Sequence, residues 1–206
     1  MRTLSESWNG TEWTVLSTPG GEGDNLNGVS CTSSTSCTAI GTNAGKAVAL
    51  RWNGSEWKTL GTPNAASNTS GDISCLAANV CVAELGGSAK AESWNGTSWT
   101  AYTVPTPTGG SAPSLHGVSC YSKPESEKTE CFAVGSYTKE TKTLSLAELY
   151  KSEGGTWSVV STPNLAKGGL LNSVSCDAHS FSVFCAAVGY YREHVGAIET
   201  LAALYF

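Results

Sequence analysis

The chain has 206 residues, a formal net charge of −5 and only 14% charged side chains. The sequence has no cluster of Lys and Arg that would bind a phosphate backbone, so no nucleic-acid partner is expected. No apolar run of about eighteen residues predicts a membrane span, and MRTLSESW at the start does not show the apolar stretch of a signal peptide. Abundant Gly, Ser, Thr and Asn favour many short strands joined by turns.

The first elements along the chain are aromatic hairpins. SESWNGTEWTVLSTP opens the chain at 5–19, Trp-Asn-Gly-x-x-Trp recurs at 52–57 and 94–99, and LYKSEGGTW at 149–157 is a variant. Asn-Gly is a strong signal for a hairpin with a type I′ turn. A Pro follows the last three copies and ends ladder pairing. Each copy therefore predicts two short strands, C and D.

Cysteine pairs lie between these hairpins. The frames read VSCTSSTSCTAIG, ISCLAANVCVAE, VSCYSKPESEKTECFAVG and VSCDAHSFSVFCAAVG, and each predicts an A strand and a B strand. Unequal gaps between the cysteines fit a hairpin disulfide and not a zinc site with fixed spacing. We predict the disulfides Cys31–Cys37, Cys75–Cys81, Cys120–Cys131 and Cys176–Cys185. Such bridges indicate an extracellular or cell-surface location.

Together these elements form a repeat of about 45 residues. The units are 20–63, 64–107, 108–163, and 164–206 together with 1–19. This pattern predicts a single all-β domain, a β-propeller of four four-stranded blades, one disulfide each, whose ring is closed by strands from both ends. Both RTLSESW and ETLAALYF have C-strand character. One C strand is therefore surplus, and two chains could share strands.

The tryptophans and glutamates leave functional questions open. The paired tryptophans could pack across strands or present platforms for sugar rings. Glu6, Glu92 and Glu148 hold the same place before the C-strand aromatic, where we expect a solvated position and not paired catalytic carboxylates. The three histidines lie in no catalytic motif. No catalytic residue, metal or cofactor is predicted.

The candidate binding residues lie where the repeat diverges most. SYTKETKT at 136–143 and YYREHVGA at 190–197 are longer and more polar than the matching TNAGK, and they predict loops at one edge of the propeller. The candidate ligand-binding side chains are Tyr137, Tyr190, Tyr191, Arg192 and His194, with His116 at a nearby junction between a loop and a strand.

The motifs also carry a family resemblance. The order LNGVSC, CFAVG, AESWNGTSW and STP resembles repeats in exported proteins of actinobacteria and related bacteria. The resemblance covers nearly the whole chain. It implies a β-propeller fold and export, and it implies no activity.

Three functions follow as hypotheses. The first is a non-catalytic extracellular binding module that recognises carbohydrate. The second is a structural or protein-interaction scaffold that forms homo-oligomers by sharing strands. The third is an enzyme acting on glycans or cell wall, with its site at the mouth of the central channel that the blades of a propeller surround.

Overall fold

The computed structural model describes residues 2–43, 46–61, 71–87, 89–123, 126, 128–165, 168–179, 182–192 and 198–205. This part of the chain holds 17 β-strands and no helix, which confirms the all-β prediction. Four of the strands hold the A place of the repeat, four the B place, five the C place and four the D place.

The strands form five antiparallel sheets in chain order. The N-terminal hairpin is β1 (Ser5–Trp8) and β2 (Trp13–Leu16). Sheet 1 is β3 (Asp24–Ser33), β4 (Ser36–Asn43), β5 (Lys46–Trp52) and β6 (Trp57–Leu60). Sheet 2 is β7 (Asp72–Ala77), β8 (Val80–Glu84), β9 (Lys90–Trp94) and β10 (Trp99–Thr103). Sheet 3 is β11 (Ser111–Ser122), β12 (Thr129–Lys139), β13 (Lys142–Lys151) and β14 (Thr156–Val160). Sheet 4 is β15 (Gly169–His179), β16 (Ser182–Arg192) and β17 (Ile198–Tyr205).

The two ends of the chain lie in separate sheets. β17 pairs with β16, whereas β1 pairs with β2 in a sheet of its own. The hairpin packs beside sheet 1, where the Trp57 indole Nε1 donates to Ser5 Oγ at 3.0 Å. A blade built from both ends is therefore not formed in this structure. The ring of four blades and the boundaries of the repeat units stay predictions.

All four predicted disulfides are confirmed. Each joins two residues directly opposite each other in the A–B hairpin, with Cα–Cα distances from 3.9 to 4.1 Å, at Cys31–Cys37, Cys75–Cys81, Cys120–Cys131 and Cys176–Cys185. Since a slip of one residue would separate the two sulfurs, each bridge fixes the register of its hairpin.

The turn type predicted for the Asn-Gly hairpins is wrong. Trp8 pairs directly with Trp13, so the loop has four residues and not two. Asn9 Oδ1 accepts the backbone N–H groups of Thr11 and Glu12 at 2.9 and 3.0 Å. A type I′ turn needs a positive φ at both Asn9 and Gly10, and only Gly10 has one. The loops after Trp52 and Trp94 repeat this arrangement. The Asn side chain thus closes a wider loop by acting as a local acceptor.

Successive sheets stack face to face. The face with the disulfide, here the front face, packs on the preceding sheet, and the back face packs on the following one. At three junctions the serine of the Val/Ile-Ser-Cys motif accepts the backbone N–H of the cysteine in the next sheet, at 2.9–3.0 Å: Cys75 to Ser30, Cys120 to Ser74, and Cys176 to Ser119. The serine and the cysteine of this motif therefore form a contact between neighbouring sheets.

Steric crowding explains why a glycine follows each Cys-x-Ala-Val/Ile sequence. The A strand has a register shift opposite this glycine in sheets 1, 3 and 4. A Cβ at Gly41, Gly135 or Gly189 would overlap a backbone carbonyl oxygen of the A strand. Only glycine lets the two backbones approach this closely.

We expect Gly135→Ala to lower the free energy of unfolding by about 1–3 kcal/mol, because the new methyl group displaces the backbone at Ser114. Urea unfolding measures the change. Gly61→Ala is the matched control, since a Cβ there meets nothing within 4 Å, and its effect should stay within about 0.5 kcal/mol. Equal stability of the Gly135 variant and the wild type would contradict this account of the motif.

Candidate functional site

The segment predicted as a polar loop at 136–143 is mostly strand, so that prediction is wrong. β12 and β13 continue to Lys139 and Lys142, which face each other in register. The turn has only two residues, and Glu140 has a φ of 56°. Residues 136–139 pair with residues 142–145, so the ladder of hydrogen bonds runs almost to the end of the predicted loop. The turn therefore reaches out beside sheet 4.

A polar pocket of about 310 Å³ lies between this turn and sheet 4. Its lining residues are Thr141, Lys142, Thr143, Gly169, Tyr190 and Arg192. Two of the predicted binding residues, Tyr190 and Arg192, thus come together. The lining has two cationic side chains, two threonine hydroxyls and an aromatic ring. It has no carboxylate among the described residues.

Backbone contacts build one wall of the pocket. Gly168 has a φ of 89°, and a Cβ there would overlap the carbonyl oxygen of Thr143. The Arg192 N–H donates to the Gly168 carbonyl at 3.1 Å. Since only glycine accepts both the φ and the close approach, Gly168 brings the start of β15 against β13, and the next residue, Gly169, lines the pocket.

The other candidate residues have different surroundings. Tyr137 is buried and packs close to Gly110. His116 Nδ1 donates to the Leu171 carbonyl at 3.1 Å, and Nε2 forms a hydrogen bond with Ser114 Oγ at 3.0 Å. His116 therefore links sheets 3 and 4. Tyr191 is half-buried and points to the opposite face of β16 from Tyr190. His194 lies outside the described residues.

The tryptophans differ in burial: Trp52 and Trp157 are half-buried, and the other five form a core group of three and an exposed pair. Trp57, Trp94 and Trp99 are buried. In the N-terminal hairpin Trp8 and Trp13 are 52% and 66% exposed. The reason is position: sheet 1 covers the Trp94–Trp99 pair, whereas no described sheet lies in front of the hairpin. Trp8 and Trp13 line a groove of about 860 Å³ between the hairpin and sheet 1.

The solvated position expected for the repeated glutamates is wrong for two of the three. Glu92 and Glu148 are completely buried, and only Glu6 is exposed. These residues lie on the front face, beside the alanines opposite them in register, such as Ala133 for Glu148. The preceding sheet covers this face in sheets 2 and 3. Glu6 lies in the hairpin, whose front face is open.

Burial changes the protonation of the acids between the sheets. Desolvation raises the pKa of Glu148 to about 8. Desolvation also raises the pKa of Glu84 to about 8, against the opposing effect of the Asp72 N–H that Glu84 Oε1 accepts at 2.9 Å. Both are therefore neutral acids at pH 7. Because solvent does not reach them, they form no substrate site.

The described residues contain no group of three or more His, Cys, Asp or Glu side chains able to hold a metal ion. They also contain no helix with the length and apolar character needed to cross a membrane.

Comparisons with known proteins place the fold. No protein-family model and no curated protein sequence matches the chain. Virginiamycin B lyase from Staphylococcus aureus superimposes with a TM-score of 0.58 at 9% identity, over 94% of this chain and 60% of that one. The NanB sialidase from Streptococcus pneumoniae gives a TM-score of 0.57 at 15% identity, over 89% and 31%. An ancestral GH74 enzyme gives 0.55 at 12%, over 87% and 27%.

The fold is propeller-like. At these identities the likeness concerns the arrangement of antiparallel sheets alone. The chain spans about three fifths of the length of the virginiamycin B lyase.

The buried acids give a pH dependence with a definite sign. The folded pKa of about 8 exceeds the ordinary 4.5, so the folded state keeps a proton that the unfolded chain has lost. The contribution of each acid is complete below about pH 4.5. It is lost at about 1.4 kcal/mol per pH unit as the pH rises toward 8.

We expect Glu148→Gln to make this decline shallower by about 1.4 kcal/mol per pH unit between pH 5 and 7. Urea unfolding at several pH values measures the slope. Glu6→Gln changes the same repeat position where it is exposed, and it should leave the slope unchanged. A Glu148 variant with the wild-type slope would show that the carboxyl group ionises normally.

Proposed function

We propose that the protein is an extracellular, non-catalytic module that binds glycans bearing carboxylate or sulfate groups. The observation that carries this proposal is the pocket between sheets 3 and 4, with Lys142 and Arg192 in its lining and no acidic side chain among the lining residues that the structure describes. The net charge of the chain is −5, whereas the described lining of this pocket carries two cationic side chains.

The chemistry of the lining suits an acidic sugar. The planar guanidinium of Arg192 is able to donate two parallel hydrogen bonds to a carboxylate or sulfate, and Lys142 adds a second positive charge. The half-buried ring of Tyr190 offers an apolar surface to a sugar ring. Thr141 and Thr143 supply hydroxyls. A volume of about 310 Å³ is at the lower end for small-molecule sites, which suits a terminal sugar.

Other observations support parts of the proposal. The four disulfides fit an oxidising, extracellular environment. A sialidase and a GH74 enzyme have a similar fold, so carbohydrate-related proteins use this architecture. The resemblance to exported actinobacterial repeats agrees with export.

Isothermal titration calorimetry with sialyllactose, a sulfated disaccharide and lactose tests the proposal. At least one acidic sugar should bind and neutral lactose should not. Lys142→Gln and Arg192→Gln should each weaken binding by about 10-fold or more, because each removes a charge-assisted hydrogen bond. Binding should also weaken as salt rises.

Lys58→Gln is the matched control, because Lys58 is an exposed cation outside the pocket. It should leave the affinity unchanged. The proposal is wrong if no acidic sugar binds, or if the Lys58 variant loses as much affinity as the two pocket variants.

A further inference from the structure

Two faces of the molecule are open where the repeat elsewhere buries the same positions. The residue before the motif serine is 4% exposed at Ile73 and at Val118 but 61% exposed at Val29. The residue after the B-strand alanine is 3% exposed at Ile40 but 51% exposed at Val188. The front face of sheet 1 and the back face of sheet 4 are therefore open. Each is one of the two surfaces that meet at the junctions between successive sheets.

These open faces are complementary. At the junction of sheets 1 and 2, Ile40 on the back face packs with Ile73 on the front face. At the junction of sheets 3 and 4, Val134 packs with Val174 in the same way. Val188 and Val29 hold the corresponding positions on the two open faces. Ser175 and Cys31 likewise hold the acceptor and donor positions of the hydrogen bond between motifs.

The open front face forms one wall of the groove of about 860 Å³. Val29, Leu26 and Ala39 line it from sheet 1, and residues 5–8 of β1 line it from the hairpin. The hairpin holds the C and D places of a sheet in front of sheet 1. The groove lies where the A and B strands of that sheet would be, beside the edge of β1.

We propose that a second copy of this chain fills the groove with its β15–β16 hairpin. β16 pairs with β1, Val188 packs on Val29, and Ser175 accepts the N–H of Cys31. β1 then takes the place of β17: Thr-Leu-Ser-Glu-Ser-Trp at 3–8 matches Thr-Leu-Ala-Ala-Leu-Tyr at 200–205. The composite sheet has all four strands, and its back junction repeats the contact made three times inside the chain.

The proposed contact is head-to-tail, because it joins two different surfaces. Each copy keeps one open face of each kind, so assembly continues beyond a dimer unless it closes into a ring. This geometry distinguishes the proposal from a symmetric dimer. The proposal rests on Val29, Val188 and Ser175 and not on glycan binding. Lys142 lies outside the contact, although Tyr190 and Arg192 share the face of β16 that carries Val188. A monomeric wild type therefore leaves the proposed glycan site unaffected.

Sedimentation velocity with purified protein over a range of concentrations tests the proposal. The wild type should show species larger than a monomer that increase with concentration. Val29→Glu and Val188→Glu should each be monomeric, with association weakened at least tenfold, since each places a charge in the apolar junction. Mixing the two variants should give a one-to-one dimer and nothing larger, because exactly one intact pair of faces remains.

Val159→Glu is the matched control, because Val159 is an exposed valine on the outer strand of sheet 3. It should associate like the wild type. Hydrogen exchange adds a second readout: the amides of β17 should exchange faster in the assembled protein, since β1 replaces that strand. Circular dichroism verifies that the variants are folded. Val29→Ser or Val188→Ser replaces the glutamate variant at the same position if that variant is not folded.

A wild type that stays monomeric at every concentration overturns the proposal. So does a mixture of the two variants that remains monomeric while the wild type associates, because a head-to-tail junction must be restored by mixing. A β17 that keeps its protection in the assembly would also overturn the strand replacement.

Discussion

The junction between successive sheets is the constraint on which the rest of the structure depends. A serine hydroxyl on one A strand accepts the N–H of a cysteine on the next A strand. Apolar side chains of the A and B strands pack at the same junction. A single hydrogen bond of this kind contributes about 1 kcal/mol. Its larger effect is geometric, because it fixes how far one A strand is shifted along its length relative to the A strand of the next sheet. Within a sheet, the register shift in the A strand and the glycine opposite it in the B strand let these two strands lie close together.

The junction also places the polar pocket. His116 bridges to the Leu171 carbonyl, which holds the A strands of sheets 3 and 4 together. That alignment brings the turn after β12 beside the end of β16, so that Lys142 and Arg192 line the same space. Neither residue alone would form a site. The pocket follows from the length of the β12–β13 ladder and from the stacking of the two sheets.

Local patterns in the sequence predict most of the strands and all four disulfides. They fail at residues 136–139 and 190–192, which are expected in loops but continue β12 and β16. The spacing of cysteines, the aromatic pairs and the turn residues are short-range signals, and they identify hairpins correctly. Burial between sheets was harder to infer, because it depends on which face meets a neighbour. Glu148 looks like a surface residue in the sequence yet lies at a covered junction, and Tyr137 looks like a binding residue yet packs inside. Of the candidate site, Tyr190 and Arg192 were found from loop composition. Lys142 was missed as an individual candidate because a two-residue turn, and not a long loop, presents it.

The repetition of one contact has a consequence for how such chains change in evolution. A duplicated unit inserted between two sheets would meet, on each side, the partner surface that those sheets already present to each other. Gain or loss of a whole unit therefore requires no new interface, whereas a change of a few residues in the Val/Ile-Ser-Cys frame would disturb two sheets at once. The number of sheets is free to vary while the motif is held constant.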